Sequence, residues 1–183
     1  MDIPSLTETF THVRIVLAMV IGLGITRILT GVASFIQHPK RHRVSLLHML
    51  WVASILLELV LFWWWDVRLA RETDWNFRVF LLQISYAIVL FLVAALLFPD
   101  NIIEYAGYED FFIQRRRWFF SLLAATWVLD LVKSPDIWRS LTTPFLIQAS
   151  ISVTLCVIGI ACRRRTVQLA VVLLYISRQI YSM

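Results

Sequence analysis

Four charged residues stand inside otherwise apolar stretches: Arg27, Glu58, Asp130 and Arg178. A charge at the centre of a bilayer costs about 2.5 to 3.5 kcal/mol on insertion scales. Such groups are expected either to pair across helices or to line a hydrated path for an ion, a proton or a small polar solute. Counted at about 1.5 Å per residue from the basic ends of their segments, Glu58 lies roughly 21 Å along, Asp130 and Arg178 roughly 20 Å, and Arg27 roughly 14 Å. Two acids and two bases therefore share a zone. The expected pairs are Arg27 with Glu58 and Asp130 with Arg178, or the crossed set. Equal numbers of acids and bases neutralise one another, which favours fasteners between helices; a hydrated path with Glu58 as its titrating group is the competing reading.

Helical spacing surrounds these charges with polar partners. Ser54 and Trp51 lie one and two turns before Glu58, Thr126 and Trp127 share the face of Asp130, and Tyr175 that of Arg178. Gln148, Ser152, Cys156 and Gly159 form one stripe in a neighbouring segment.

Other chemistries find less support. A haem would need two histidines facing across helices, and His48 is the one placed within an apolar run. His38, His42 and His48 read as a wet basic turn rather than as metal ligands. Asp100, Glu104, Glu109 and Asp110 are expected to pair with Arg115, Arg116 and Arg117 rather than hold a cation. Ser/His/Asp sets, zinc-protease motifs and phosphate-binding glycine loops are missing, so neither enzyme activity nor a cofactor or metal is expected.

The elements that must position the charges follow from composition. Of 183 residues 60% are hydrophobic and 16% charged, too little polar surface to coat a soluble globule of this size. The expected fold is all-α: a single polytopic membrane domain with six transmembrane helices in one bundle, over about 6–37, 44–65, 75–98, 118–132, 144–162 and 166–181, with residues 100–117 lying on the membrane surface. Ser5 to Glu8 fits a capping box, Thr73 or Asp74 caps the third helix, Pro99 closes it, and Ser134 to Trp138 starts a short interfacial turn. Trp63 to Trp65, followed by Asp66, reads as an interfacial belt. Gly22, Thr26 and Thr30, and beside them Gly24, Arg27 and Gly31, form small-residue stripes that admit close helix packing. A three-plus-three inverted repeat is compatible with the helix count.

The net charge of +5 is gathered in short turns between apolar runs. Lys40, Arg41 and Arg43, then Arg115 to Arg117, then Arg163, Arg164 and Arg165 follow the odd-numbered helices. This pattern places those turns in the cytoplasm, against lipid headgroups or a soluble partner, and both termini on the other side. Nucleic acid is not the expected partner. Gly22 to Gly31, His48 to Trp51, Phe62 to Trp65, Leu97-Phe-Pro99 and Arg117 to Phe120 resemble a family of small bacterial multi-helix membrane proteins. That resemblance implies a bacterial inner membrane and carries no activity. The expected function is an ion, proton or small-solute channel or carrier, homo-oligomeric because six short helices leave little room for a private aqueous path. The alternative is a non-catalytic structural or signalling subunit that docks a soluble cytoplasmic partner.

Overall fold

Where water is absent, backbone N–H and C=O groups must bond within their own segment, so apolar runs of this length fold as helices. The computed structural model describes residues 6–38, 44–69, 77–102, 104–133 and 143–181. Its helices are α1 Leu6–Gln37, α2 Leu46–Leu69, α3 Phe77–Ala95, α4 Tyr108–Lys133, α5 Thr143–Ala161 and α6 Arg165–Tyr181. Three are long and apolar enough to cross a membrane: Thr11–Gln37 within α1, Leu46–Trp64 within α2, and all of α3. Met19, Leu23, Leu29, Leu81 and Leu92 are exposed on these helices, as a lipid-facing surface requires. The other three fall short of the six-crossing expectation by length or composition. α4 carries Glu109, Asp110, three arginines and Asp130; the apolar part of α5 runs Leu146–Ala161; and α6 has 17 residues, Arg165 and Arg178 among them.

Two expected boundaries are corrected. α2 continues past Trp65 to Leu69. More consequentially, residues 108–117 are the first turns of α4 and not a segment separate from it. Glu109 and Asp110 suit a helix N-terminus electrostatically. Tyr108, Phe112, Arg116, Phe119 and Leu123 then recur at helical spacing and are all buried. The proposed Ser5 cap, Lys40, Arg41 and Arg43 with their turn, the Thr73 or Asp74 cap and the 134–142 segment lie outside the described residues.

Consecutive helices run in opposite directions, as the contacts at one end show. His48 near the start of α2 meets Phe35 near the end of α1, Phe98 just past α3, and Tyr108 at the start of α4. Gln168 in the first turn of α6 bonds carbonyls at the end of α5. Around the bundle the packing order is α1, α3, α4, α5, α6, α2 and back to α1, with α2 also touching α3 and α4. An inverted repeat would make α4–α6 the counterpart of the extensive α1–α3 contact; α4 packs instead on α3 and α5.

The core is aromatic. Trp51 lies 5.0 Å from Phe119, 5.2 Å from Phe120, 5.6 Å from Tyr175 and 6.1 Å from Phe112, centroid to centroid, so α2, α4 and α6 meet on one indole. Gly159 of α5 admits the Phe120 ring into space that a Cβ would occupy. Gly159→Ala should therefore destabilise the bundle by about 1 to 2 kcal/mol: overpacking costs about 1 to 3 kcal/mol, less the helix-propensity gain of up to about 1 kcal/mol. Thermal unfolding in detergent measures this; an unchanged midpoint would mean that Phe120 can swing aside.

Candidate functional site: a polar cluster between α2 and α6

Glu58 is twelve residues beyond Leu46, about 18 Å along α2 and about 9 Å short of Trp64. Its Oε2 accepts a hydrogen bond from Gln179 Nε2 and lies 3.9 Å from Arg178 Nη2, with side-chain exposures of 16% for Glu58 and 9% for Arg178. Gln179 is fully buried and ties the two helices twice more. Its Oε1 accepts from Ser54 Oγ at 2.9 Å, and its Nε2 donates to the Ser54 carbonyl at 3.1 Å. Ser54 and Glu58 are one turn apart, and Arg178 and Gln179 are adjacent near the end of α6. A four-residue clasp results. The pair Glu58–Arg178 comes from the crossed set.

Aromatic rings complete the surroundings of the base. The Arg178 guanidinium carbon sits 4.6 Å from the ring centroids of both Trp127 and Tyr175. Cation–π attraction of this kind strengthens when water is excluded, which holds the cation in place beside Glu58. Tyr175 is fully buried and also packs on Trp51, joining the clasp to the aromatic core. Asp130 is half-buried near the end of α4.

The remaining residues expected to line a path divide. Ser54 and Tyr175 belong to the cluster. Thr126 is buried, with its hydroxyl donating to the Leu123 carbonyl at 2.7 Å, and Ser152 is buried donating to the Gln148 carbonyl at 2.8 Å. Gln148 is half-buried. The stripe Ser152, Cys156, Gly159 does face inward.

Arg27 is elsewhere. Its Nη2 donates to the Phe98 carbonyl at 2.8 Å and to Asp100 Oδ1 at 2.5 Å, toward the basic end of the bundle. His48, fully buried among Phe35, Phe98 and Tyr108, bonds the Leu97 carbonyl at 2.7 Å; a carbonyl can only accept, so Nε2 carries the proton. Arg27 and His48 thereby cap carbonyls left without helical partners where Pro99 stops α3.

The acids of 100–110 also find partners other than those expected. Asp100 takes Arg27. Glu109 accepts from Ser45 Oγ at 2.6 Å and pairs with Arg165 Nε at 3.2 Å; Asp110 accepts from Gln114 at 2.9 Å. Arg115 donates to the Tyr105 hydroxyl at 3.1 Å. Arg117, Arg163 and Arg164 are exposed, whereas Arg116, expected at the surface, is buried.

No family model, curated protein or solved structure matches this chain. The chemistry of the site rests on its geometry. Sequence reasoning missed Gln179 and Gln168, although Gln168, Val172, Tyr175 and Gln179 fall at helical spacing and all are buried on α6. That stripe was the available signal.

Proposed function

We propose that the chain is a polytopic membrane protein that moves a proton, an ion or a small polar solute, by a carrier-like change rather than through a fixed pore. One observation carries this reading: an ion pair between α2 and α6, Glu58 with Arg178, is held deep in the bundle and is bonded to Gln179 and Ser54. A group that can exchange its partner for a permeant ion is what an intramembrane carboxylate offers. The aromatic layer of Trp51, Phe112, Phe119 and Phe120 fills the interior between this cluster and the basic end, so passage would require these rings to move or a route between copies. In this proposal all six helices cross a bacterial inner membrane, the working form is a homo-oligomer, and the end bearing Arg115 to Arg117 and Arg163 to Arg165 is cytoplasmic, with both termini outside.

The test is flux of protons and monovalent ions through purified protein in liposomes, wild type against Glu58→Gln. Gln is isosteric and keeps an acceptor for Gln179, and Arg178 keeps its contacts with Trp127 and Tyr175, so the variant is expected to fold with reduced stability. Flux should fall at least about tenfold, the loss of roughly one charge-assisted interaction along the path. Unchanged flux in the folded variant would remove Glu58 from transport.

A second reading is favoured by the opposite charges of the clasp: with Glu58 set against Arg178, the charges serve as fasteners, and the protein is a structural or signalling subunit whose basic end docks a soluble partner. Absence of flux in both proteins, with co-purification of a soluble protein from the native host, would support it.

A further inference from the structure

Arg116 is buried to 5% exposure on α4, its Nη1 donates to the Ile113 carbonyl at 3.0 Å, and its buried Nε has no hydrogen-bond partner. A buried guanidinium normally faces a carboxylate, because an uncompensated charge away from water is costly. Here the helix packing brings another base. Phe120 of α4 seats against Gly159 of α5, and the two helices run antiparallel. One turn from that contact on α4 stands Arg116, about 6 Å along the axis, and toward the same end α5 stops at Ala161, two residues before Arg163 in the link to α6. Burial and the charges of Arg163 and Arg117 hold Arg116 below the usual arginine range.

The acids nearby are committed. Glu109, two turns before Arg116 on the same face, is shared by Ser45 and Arg165, and Asp110 is bonded to Gln114. Arg115 is turned to Tyr105. Among the described residues this leaves Arg116, Arg117 and Arg163 as adjoining cations for which no acid partner stands.

We propose that Arg116, Arg117 and Arg163, at the α4–α5 rim, bind a phosphate-bearing anion: the headgroup of an anionic phospholipid or a free phosphate. A tetrahedral oxyanion supplies the acceptors that the Arg116 Nε lacks, and guanidinium forks match its geometry. Arg116 is the anchor, fixed by its bond to Ile113, while the exposed Arg117 and Arg163 close around the anion. Basic pockets between helices at the cytoplasmic face hold lipid headgroups in this way.

The full chain in phosphatidylcholine nanodiscs would be titrated in two arms, one adding phosphatidylglycerol and one adding sodium phosphate against sodium chloride at equal ionic strength, reading the thermal midpoint and bound phosphorus. Wild type should be stabilised saturably in at least one arm. Response to phosphatidylglycerol alone identifies a headgroup; response to inorganic phosphate identifies the free ion. Arg116→Gln and Arg163→Gln should each weaken binding about tenfold or more, and Arg164→Gln little. If Arg116→Gln does not fold, Arg163→Gln against Arg164→Gln decides, since both side chains are exposed. No saturable response in either arm, or equal weakening by Arg164→Gln, would overturn the site in favour of diffuse charge.

Discussion

Arg178→Met should destabilise the bundle by about 3 to 5 kcal/mol, while the double variant Arg178→Met with Glu58→Gln recovers most of that loss. Removing the base strands the Glu58 carboxylate in a site where its exposure is 16% and where, among the described residues, Gln179 is its remaining hydrogen-bond donor. The loss includes the contacts of the guanidinium with Trp127 and Tyr175, which cation–π energies place at about 1 to 2 kcal/mol together. Met is apolar and of similar length, so packing on those rings is largely retained. The stranded carboxylate therefore accounts for most of the loss, and Gln removes it. Chemical unfolding of the four proteins of this cycle in detergent micelles gives the coupling directly. Equal losses in the single and double variants would show that Arg178 acts through its rings alone and that the ion pair contributes no stability.

Trp51→Ala is expected to cost about 3 kcal/mol, at the lower end of the range for buried aromatic truncations. Such a loss ordinarily has two sources: transfer of the side chain out of water and the cavity left behind. In a membrane the separated helix already keeps its indole in apolar surroundings, so the transfer contribution shrinks and the cost of the cavity remains. The cavity would be large, because Trp51 is fully buried and touches four rings on α4 and α6. Those rings belong to helices that are not next to α2 in the chain, so their collapse into the space would need two helices to shift together. Trp51→Phe should cost distinctly less. A midpoint for Trp51→Ala within about one degree of wild type would mean that the core refills freely and that the aromatic layer is not a rigid barrier.

Much of the architecture is legible in residue periodicity. The apolar runs place α1, α3, α5 and α6 to within a few residues, since length and hydropathy alone decide where a backbone without water must close its own hydrogen bonds. For α4 the apolar run starts ten residues late, because Arg115 to Arg117 reads as the edge of a membrane segment while the stripe Tyr108, Phe112, Arg116, Phe119 reads as one helix face. The stripe is what the packing obeys. For the charges, depth along each helix is a sound guide but supplies a single coordinate. Arg27 and Glu58 lie at similar depth, yet Arg27 extends toward the end of α3, where the open Phe98 carbonyl and Asp100 attract it.

The sequence by itself determined the medium and the elements: an all-α chain with at least three helices apolar and long enough to cross a membrane, basic clusters between runs, and four charges too costly to face lipid. These follow from local composition and from helical period, which act within one segment. Tertiary structure alone decided the partners. The order α1, α3, α4, α5, α6, α2 set α2 against α6, so that Glu58 met Arg178 and Gln179, and set α4 against α5, so that Arg116 was buried beside Arg163. The physical reason is that a helix fixes which residues share a face, whereas which face meets which is chosen by ring and glycine packing between segments distant in sequence, a choice no single segment encodes.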